Sequence, residues 1–533
     1  MTSTQLVLFA EPRQPRPAVE LPVTLAGARP AHVPLAPLRL DFGPDEHLAE
    51  VYERAGDPAD PAELRDLYVG RAEDMLGARA ARPGLAERWR AARPRRSVTP
   101  EEILSSRATV RFVKEMFNHY FRDDLYGSLR RPGQLILSSG SVDEEAWGLP
   151  ATVKDCITYA LDRDWYGYSD SRGREPAREA VAAYESARLP GAHYDLRNVA
   201  LTMGGTFAVH SIADFALTDR TTSAPALCAI PNYPPLVESL ARRVGTRLVP
   251  TPSVGGVTSL APLIEQLRPD TPLVLLQTAA NPTGALVDEA ELETLIRRTS
   301  PGTLVVLDEC HEWLGPQPHW SPARAADNVV RVSSLSKNWS APGLKVGWLL
   351  ASSAFIDAYY EYASSSYGGP PSFFYTAIEV LARMERWRLQ GRETAGPAEL
   401  AEFESGYGLT VDGLGAAYRS YAEERAEREL TLCRTRDEVT RRLLLPDTDV
   451  TAARYSINLA VGLRGYPDSY LAFRELLHRQ NVSVFPGLLT FCLSGGLVRV
   501  TTARRWSELA PALSRMERFL GERRPAGSIA AEG

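Results

Sequence analysis

The sequence predicts an α/β protein with a large domain built on a doubly wound, mainly parallel sheet, a small α/β domain and a helical N-terminal extension. Three observations predict this fold. Apolar, strand-like runs alternate with amphipathic helical segments from about residue 134 onward, an order typical of parallel sheets. Residues before 130 show helical periodicity after a proline-rich start. The length of 533 residues is enough for two or three packing units.

The composition excludes several classes of protein. Hydrophobic residues make up 44% and charged residues 24%, as in ordinary globular proteins. The net charge of −6 disfavours a general nucleic-acid binder. No apolar run approaches the length of a membrane span, and the first ten residues lack the cationic start of a secretion signal. The five cysteines form no CxxC pair, which excludes a zinc ribbon and a disulfide scaffold, predicts no metal site and fits a reducing cytoplasm.

The N-terminal extension divides into two parts. Seven prolines in the first 40 residues predict a flexible arm over 1–43. Over 44–130 we expect helices, because apolar residues recur at spacings of three and four, as in Val110, Val113, Phe117 and Phe121. The sequence Thr99-Pro100-Glu101-Glu102 has the pattern of a capping box. Residues 88–96 are basic but the extension is charge-neutral, so we interpret them as a solvated helix and linker, with a phosphate- or nucleic-acid-binding arm as the alternative.

The strands and helices of the main domain follow in alternation. The strand candidates are Val199–Met203, Leu227–Ile230, Thr246–Val249, Leu273–Gln277, Thr303–Leu307 and Val329–Val332. The helices between them include Thr206–Leu217, Pro235–Arg243 and Glu289–Arg298. A long helical stretch over 373–444, interrupted at 390–413, leads into a mixed α/β segment that ends in a helix near 506–520.

The lysines point to the chemistry. Only four of the 60 basic residues are lysines: Lys114, Lys154, Lys337 and Lys345. Arginine stays protonated, whereas lysine can lose its proton and form a Schiff base. Two of the four lie eight residues apart, in a segment that follows a predicted strand. Asn281 and Asp308 stand at the ends of the two predicted strands that precede this segment. Because parallel strands end at one edge of a sheet, we expect Asn281, Asp308 and Lys337 to converge on one ligand.

Four further segments complete a family pattern: Tyr166–Gly173 with Arg178-Glu179, Thr202–Thr206, Ser334–Lys337 and Gly496–Val500. With them, residues 134–520 resemble the class I/II aminotransferases of fold type I, which use pyridoxal 5′-phosphate (PLP). The resemblance implies that Lys337 holds PLP as an internal aldimine. It also implies that Asn281 bonds the phenolic oxygen, that Asp308 pairs with the pyridine nitrogen and that Arg499 binds the substrate carboxylate.

The resemblance therefore supplies a full set of site residues. The catalytic residues are Lys337, Asp308 and His311. The cofactor-binding residues are Gly204, Gly205, Thr206, Tyr233, Asn281, Asp308, Ser334, Ser336, Lys337 and Lys345. The substrate-binding residues are Gly140, Tyr168 and Arg499. Two alternatives are left open: that Tyr168 is a core aromatic residue, and that Arg499 has a purely structural role.

Three departures from the family pattern shape the predicted reaction. His311 stands where the family often has tyrosine, Lys345 stands where it often has arginine, and the extension is unnecessary for plain transamination. An imidazole can exchange protons near neutral pH, although a purely structural role for His311 is the alternative. We therefore predict non-standard chemistry through a quinonoid intermediate: elimination or replacement at Cβ or Cγ, cyclisation or C–C bond formation, with S-adenosylmethionine among the candidate substrates.

The resemblance also leads to expectations about the metabolic setting, the binding partners and the domain bounds. We expect specialised amino-acid metabolism such as antibiotic biosynthesis, a cytoplasmic homodimer, and a small-molecule substrate without nucleic-acid or membrane partners. A conventional aminotransferase is the alternative; a PLP-fold transcription regulator is a minor one, because no convincing helix-turn-helix precedes the main domain. The expected domains are the arm 1–43, the extension 44–130, small-domain residues 131–180, the PLP-binding domain 181–370, interdomain helices 371–445 and the C-terminal small domain 446–533.

Overall fold

The computed structural model describes residues 6–26, 35–315, 320–451 and 453–522; the rest of the predicted arm and of the C-terminal segment lies outside these ranges. The extension forms five helices: α1 (Glu46–Arg54), α2 (Pro61–Leu76), α3 (Pro83–Ala91), α4 (Pro100–Ser105) and α5 (Arg107–His119). The predicted capping box is confirmed at α4, where the Thr99 side chain and the Glu102 side chain each bond the other residue's backbone N–H. A π-helical segment, Tyr120–Ser128, continues α5.

The large sheet has seven strands: β1 (Val199–Thr202), β2 (Ala226–Ile230), β3 (Thr246–Pro250), β4 (Leu273–Gln277), β5 (Leu304–Asp308), β6 (Val329–Ser334) and β7 (Gly347–Leu350). Their order is β1-β7-β6-β5-β4-β2-β3. All pairings are parallel except those of β7, which is antiparallel to β1 and β6. The six predicted strands are confirmed, and β7 is the one that the sequence analysis missed.

Helices cover both faces of this sheet. They are α6 (Ala151–Asp162), α7 (Glu175–Arg188), α8 (Gly205–Leu217), α9 (Pro234–Ala241), α10 (Ala261–Gln266), α11 (Glu289–Arg298) and α12 (Ser353–Ser366). The strands of the sheet are buried along nearly their whole length, as expected of a parallel sheet with helices on both sides. The doubly wound, mainly parallel fold predicted from the sequence is confirmed.

Further elements form the smaller α/β unit and its connection to the large sheet. The connecting helices are α13 (Tyr375–Leu389) and α14 (Val411–Leu443), separated by the predicted interruption. A four-stranded antiparallel sheet follows, made of β8 (Thr448–Val450), β9 (Asn458–Leu463), β10 (Phe485–Pro486) and β11 (Leu497–Thr501) in the order β8-β9-β11-β10. It packs with α15 (Ser469–Gln480) and α16 (Trp506–Gly521). None of the helices in the described ranges combines the length and hydropathy that a transmembrane span requires.

The extension shares its core with the smaller unit. The Tyr68 ring of α2 lies 6.1 Å from the Tyr470 ring of α15, and Asp124 accepts a 2.7 Å hydrogen bond from the Tyr470 hydroxyl. The buried carboxylate of Glu73 pairs with the guanidinium of Arg474. Because these charged groups are buried as well as paired, the helices of the extension are fixed against the body of the protein.

Candidate active site

A cavity of about 370 Å³ opens where β4, β5 and β6 end. Parallel strands present their last residues at one edge, which is where doubly wound sheets bind ligands. The cavity is lined by every residue that the sequence predicted for the site except Tyr168: Gly140, Gly204, Gly205, Thr206, Tyr233, Asn281, Asp308, His311, Ser334, Ser336, Lys337, Lys345 and Arg499. The fold therefore brings together residues that are up to 359 positions apart in the chain.

Lys337 follows β6 and directs its amino group into the cavity. The Nζ atom donates a hydrogen bond to the carbonyl oxygen of Gly140. Burial, together with the guanidinium of Arg499, lowers the pKa of the amine from 10.5 to about 8, against the opposing influence of Cys310 and Asp308. A lysine with this pKa is partly unprotonated near neutral pH, so it can serve as a nucleophile or a base.

Asp308 is the last residue of β5, and neighbouring groups hold its carboxylate in place. The side-chain amide of Gln277 donates to Oδ2 at 2.8 Å, and the backbone N–H of Cys310 donates to Oδ1 at 3.1 Å. Gln277 ends β4 and lies directly opposite Asp308 in the parallel register. The carboxylate is thus buried, hydrogen-bonded and presented at the edge of the cavity.

The start of α8 forms an anion site on another side of the cavity. Gly204 precedes the helix with a φ of +84°, a conformation that L side chains rarely adopt. A Cβ atom on Gly205 would lie 2.6 Å from the Cys310 sulfur, so a larger residue would displace neighbouring groups. The N-cap residue of this 13-residue helix is Gly204, which has no side chain to cap it, so the first-turn amides and the positive end of the helix dipole face the cavity.

Arg499 lies in the middle of β11 and is a buried cation. Its Nη1 donates to Oδ1 of Asn281 and its Nη2 to the carbonyl oxygen of Ser138, both at 2.9 Å. The guanidinium also stacks 4.1 Å from the centre of the Phe485 ring. Burial lowers its pKa to about 10, so it stays protonated at neutral pH. Among the described residues no carboxylate pairs with it and its Nε has no acceptor, so the charge can bind an anionic substrate group.

His311 lines the cavity but does not behave as the sequence analysis expected. Its Nδ1 lies 3.1 Å from the hydroxyl oxygen of Ser456. Burial, reinforced by the positive charges of Lys337 and Arg499, lowers the pKa of His311 well below 6.5. The direction of this shift contradicts the expected exchange of protons near neutral pH, because a third buried cation beside Lys337 and Arg499 is unfavourable.

Tyr168 is the predicted site residue that lies elsewhere. Its side chain is fully exposed, and it lines neither the cavity nor the core. The alternative reading of Tyr168 as a core aromatic is equally contradicted in this chain. Tyr166, in the same loop, is 67% exposed.

Several residues of the cavity were not identified from the sequence. They are Phe117, Phe121, Ser141, Met203, Leu236, Gln277, Cys310, Pro342 and Phe485. Gln277 carried a usable signal, because it ends a predicted strand next to the one that ends in Asp308. Phe117 and Phe121 were recognised only as part of an apolar helical stripe, and no local pattern indicates which surface such a stripe contacts.

Comparison with known proteins decides the family. Residues 132–394 match the family model described as aminotransferase class I and II. This segment of the chain belongs to that family. An aspartate aminotransferase of Pyrococcus horikoshii is 24% identical over 399 residues, covering 72% of this chain and 90% of that protein. A valine–pyruvate aminotransferase of Mycobacterium tuberculosis is 25% identical over 406 residues, covering 73% and 92%.

A solved structure agrees with this class I/II aminotransferase fold. A double mutant of Thermus thermophilus aspartate aminotransferase superposes with a TM-score of 0.59 at 20% identity, covering 80% of this chain and all of that one. The chain is thus a PLP-dependent enzyme of the transferase type. The extension precedes the segment that the family model matches.

The residues present fit this cofactor. The uncapped start of α8 suits a phosphate group, since backbone amides and the helix dipole both favour an anion there. Lys337 offers an amine of lowered pKa, and Asp308 offers a carboxylate held in place by hydrogen bonds. These groups line one cavity, as a cofactor with a phosphate, an aldehyde and a ring nitrogen requires.

Proposed function

We propose that this enzyme transfers the amino group of an α-amino acid, with PLP held in the cavity at the ends of β4, β5 and β6. One observation carries the proposal: the amine of Lys337, whose pKa is lowered, shares the cavity with the carboxylate of Asp308 and with the cation of Arg499, with which no carboxylate of the described ranges pairs. This chemistry requires a base, a carboxylate that pairs with the ring nitrogen of the cofactor, and a cation that binds the substrate carboxylate.

The proposed cofactor contacts follow from the walls of the cavity. The phosphate would be held by the start of α8 together with Ser334, Ser336 and Lys345, and the ring by Tyr233, Asn281 and Asp308. When bound, PLP supplies an electron sink for charge released at the substrate Cα. Asp308 acts on the ring through its negative charge, which favours protonation of the pyridine nitrogen.

Two side chains act on the substrate itself. Arg499 binds the α-carboxylate through its guanidinium, which its bonds to Asn281 and Ser138 hold in a fixed orientation. That orientation determines which bond at Cα is aligned for cleavage. Lys337 removes the Cα proton and returns one, a role for which a pKa near 8 is well suited because the amine form is populated at working pH.

An isotope experiment tests this proposal. Purified enzyme is incubated with ¹⁵N-labelled amino acids and a set of 2-oxo acids, and mass spectrometry follows the label into new amino acids. We expect transfer by the native enzyme, none by Lys337→Ala, and native rates for Lys154→Ala, a lysine on α6 outside the cavity. Failure of every amino acid to donate its label, in an enzyme that carries PLP, would overturn the proposal.

His311 and Ser456 support a second candidate reaction. A neutral imidazole fixed by a hydroxyl differs chemically from the tyrosine that the family often has, so elimination, replacement, cyclisation or C–C bond formation remains a proposal for this site. The test is product analysis with amino acids that carry a leaving group, S-adenosylmethionine included. Release of the leaving group, with a product ratio that changes in His311→Tyr, favours this candidate over plain transamination.

We also propose a homodimer. Tyr166 and Tyr168 are exposed in the single chain, and Gly369 of the neighbouring segment 366–371 lies against the carbonyl oxygens of Asp170 and Ser171. The exposed tyrosines and segment 366–371 therefore lie on one surface, which we propose as the contact with a second copy of the chain. Light scattering should give a mass of twice 58.6 kDa; a fully active monomer of 58.6 kDa would contradict the proposal.

The proposed setting is specialised amino-acid metabolism in a reducing cytoplasm. All five cysteines lie unpaired, as thiols do in reducing compartments. The specialised role is supported by His311 in the cavity and by the extension, which precedes the segment that the family model matches.

A further inference from the structure

The N-terminal extension supplies part of the cavity wall. Phe117 of α5 and Phe121 of the π-helical segment both line the cavity, although both precede the segment matched by the family model. Their rings lie 4.9 Å apart. Together with Tyr233 and Phe485 they form a continuous surface, which we call the aromatic wall.

The aromatic wall joins the two sides of the cavity to which the proposed function assigns the cofactor and the substrate carboxylate. The Phe117 ring lies 5.8 Å from that of Tyr233, on the proposed cofactor side, and 6.1 Å from that of Phe485, which stacks on the Arg499 guanidinium. A substrate whose carboxylate is bound by Arg499 therefore has the aromatic wall beside it. With the carboxylate bound there, we expect the substrate side chain to lie against this part of the cavity.

The wall is held rigidly, so it can select among side chains. Tyr120, between the two phenylalanines, is fully buried, and its hydroxyl donates to the carbonyl oxygen of Val484 at 2.9 Å. At the other end of α5, the guanidinium of Arg107 forms two hydrogen bonds of 2.7 and 2.9 Å with the carboxylate of Glu238 on α9. These contacts fix the position of α5 against both the large and the smaller unit.

The charges of the cavity determine what the wall can accept. The four residues of fixed charge that line it are Asp308, Lys337, Lys345 and Arg499, and each has a role toward cofactor or carboxylate in the proposed function. The aromatic wall offers no charged group to a side chain. Burying a second carboxylate or a guanidinium against it would be unfavourable, whereas an aromatic or large apolar group gains contact and leaves water.

We propose that the aromatic wall, through Phe117 and Phe121, makes the enzyme select α-amino acids with aromatic or other large apolar side chains. The extension is then a specificity element of the active site. The proposal rests on the proposed function for the placement of the carboxylate at Arg499. It also gives the extension a role in substrate selection, in addition to the packing contacts that α1–α5 make with the body of the protein.

Binding of unreactive acids tests the proposal without turnover. Titration calorimetry on the PLP-loaded enzyme compares 3-phenylpropionate with succinate; neither has an amino group, so neither can react. We expect 3-phenylpropionate to bind at least about tenfold more tightly, the size of effect expected from burying a phenyl ring. Equal affinities, or tighter binding of succinate, would overturn the proposal.

Substitutions in the aromatic wall test whether it causes the preference for 3-phenylpropionate over succinate. Phe121→Ala and Phe117→Leu should each weaken 3-phenylpropionate binding roughly tenfold and change succinate binding less than about twofold. Phe215→Ala is the matched control, because Phe215 is also half-buried and packs against Phe355 and Tyr359 away from the cavity. It should change neither affinity. Equal losses for both acids, or a loss in the control of the same size, would contradict the proposal; thermal melts confirm that each variant is folded.

Turnover measurements distinguish a failure of this inference from a failure of the proposed function. Transfer of ¹⁵N from phenylalanine and aspartate with equal kcat/KM would support amino transfer and overturn selection by the wall. Wall-dependent binding of 3-phenylpropionate without transfer from any amino acid would support the wall and overturn amino transfer. Efficient transfer from phenylalanine, reduced in Phe121→Ala chiefly through KM, supports both.

Discussion

Lys337 illustrates how the fold changes the chemistry of a side chain. The amine is enclosed in the cavity and lies near a second cation, Arg499, so its protonated form is disfavoured and its pKa falls to about 8. The sequence indicated this lysine through its rarity and its position after a strand. It could not indicate the pKa, which depends on burial and on a residue 162 positions away.

The lowered pKa predicts how the lysine reacts with its cofactor. In protein freed of PLP, the rate of covalent capture should rise with pH through a midpoint near 8 and level off above it, because only the unprotonated amine reacts. Borohydride trapping at timed intervals measures this rate. In His311→Asn the midpoint should stay near 8, since the replaced imidazole is neutral. A midpoint near 10.5 in the native protein would contradict the electrostatic account.

The strands and helices around the site could be predicted where the pattern that indicates them lies within their own sequence. The strands β4, β5 and β6 are short apolar runs bounded by turns, which is how buried parallel strands read in a sequence. Asn281, Asp308 and Lys337 could be placed together because parallel strands end at one edge. The antiparallel strand β7 was missed, since its insertion between β1 and β6 depends on pairing with distant segments.

Strand β5 is held at the site by a buried ion-pair network. The carboxylate of Glu309, directly after Asp308, contacts the guanidiniums of Arg331 and Arg324 at 2.8 Å. Burial alone would raise the pKa of Glu309, but the two arginines outweigh it and hold the pKa at about 2. The network therefore keeps a charged carboxylate beside the site at all ordinary pH values.

Glu309→Gln should destabilise the protein by roughly 3 kcal/mol at pH 7, because it removes a buried carboxylate that both guanidiniums contact. Arg331 keeps its contact with Glu185, and Arg324 keeps its contact with Glu312. Urea unfolding measures the difference from the native chain. An unfolded glutamate titrates near 4.3, so the stabilisation is complete above that pH and is lost as pH falls toward 2. The difference should accordingly shrink as pH falls from about 5 toward 2. A difference that is constant with pH, or below about 1 kcal/mol, would contradict this role.

At the scale of the whole molecule, the extension is part of one structure with the body. Its helices could be predicted from periodicity, but their docking could not, since an apolar stripe such as Val110–Phe121 fits many surfaces. Long-range contacts decide the outcome: Tyr68 on Tyr470, Glu73 with Arg474 and Tyr120 on Phe473. The cavity is consequently assembled from a family fold and an addition outside the matched segment.

A chain that begins at residue 131 should fail to fold. Removing the extension would expose the apolar surface around Tyr470 and Phe485 and leave the buried Arg474 without its carboxylate. We expect insoluble protein, or soluble protein without a cooperative thermal transition in circular dichroism. A truncated chain with the thermal transition of the full-length protein would show that the extension is a separable domain.

Lys337 is the residue on which we expect this chain to carry PLP, in the cavity formed by the ends of β4, β5 and β6. Borohydride reduction of the purified enzyme fixes the cofactor covalently, and proteolysis with mass spectrometry then locates it. We predict a single modified peptide that contains Lys337, and no fixed cofactor in Lys337→Ala. Modification of Lys114, Lys154 or Lys345 in place of Lys337 would contradict it.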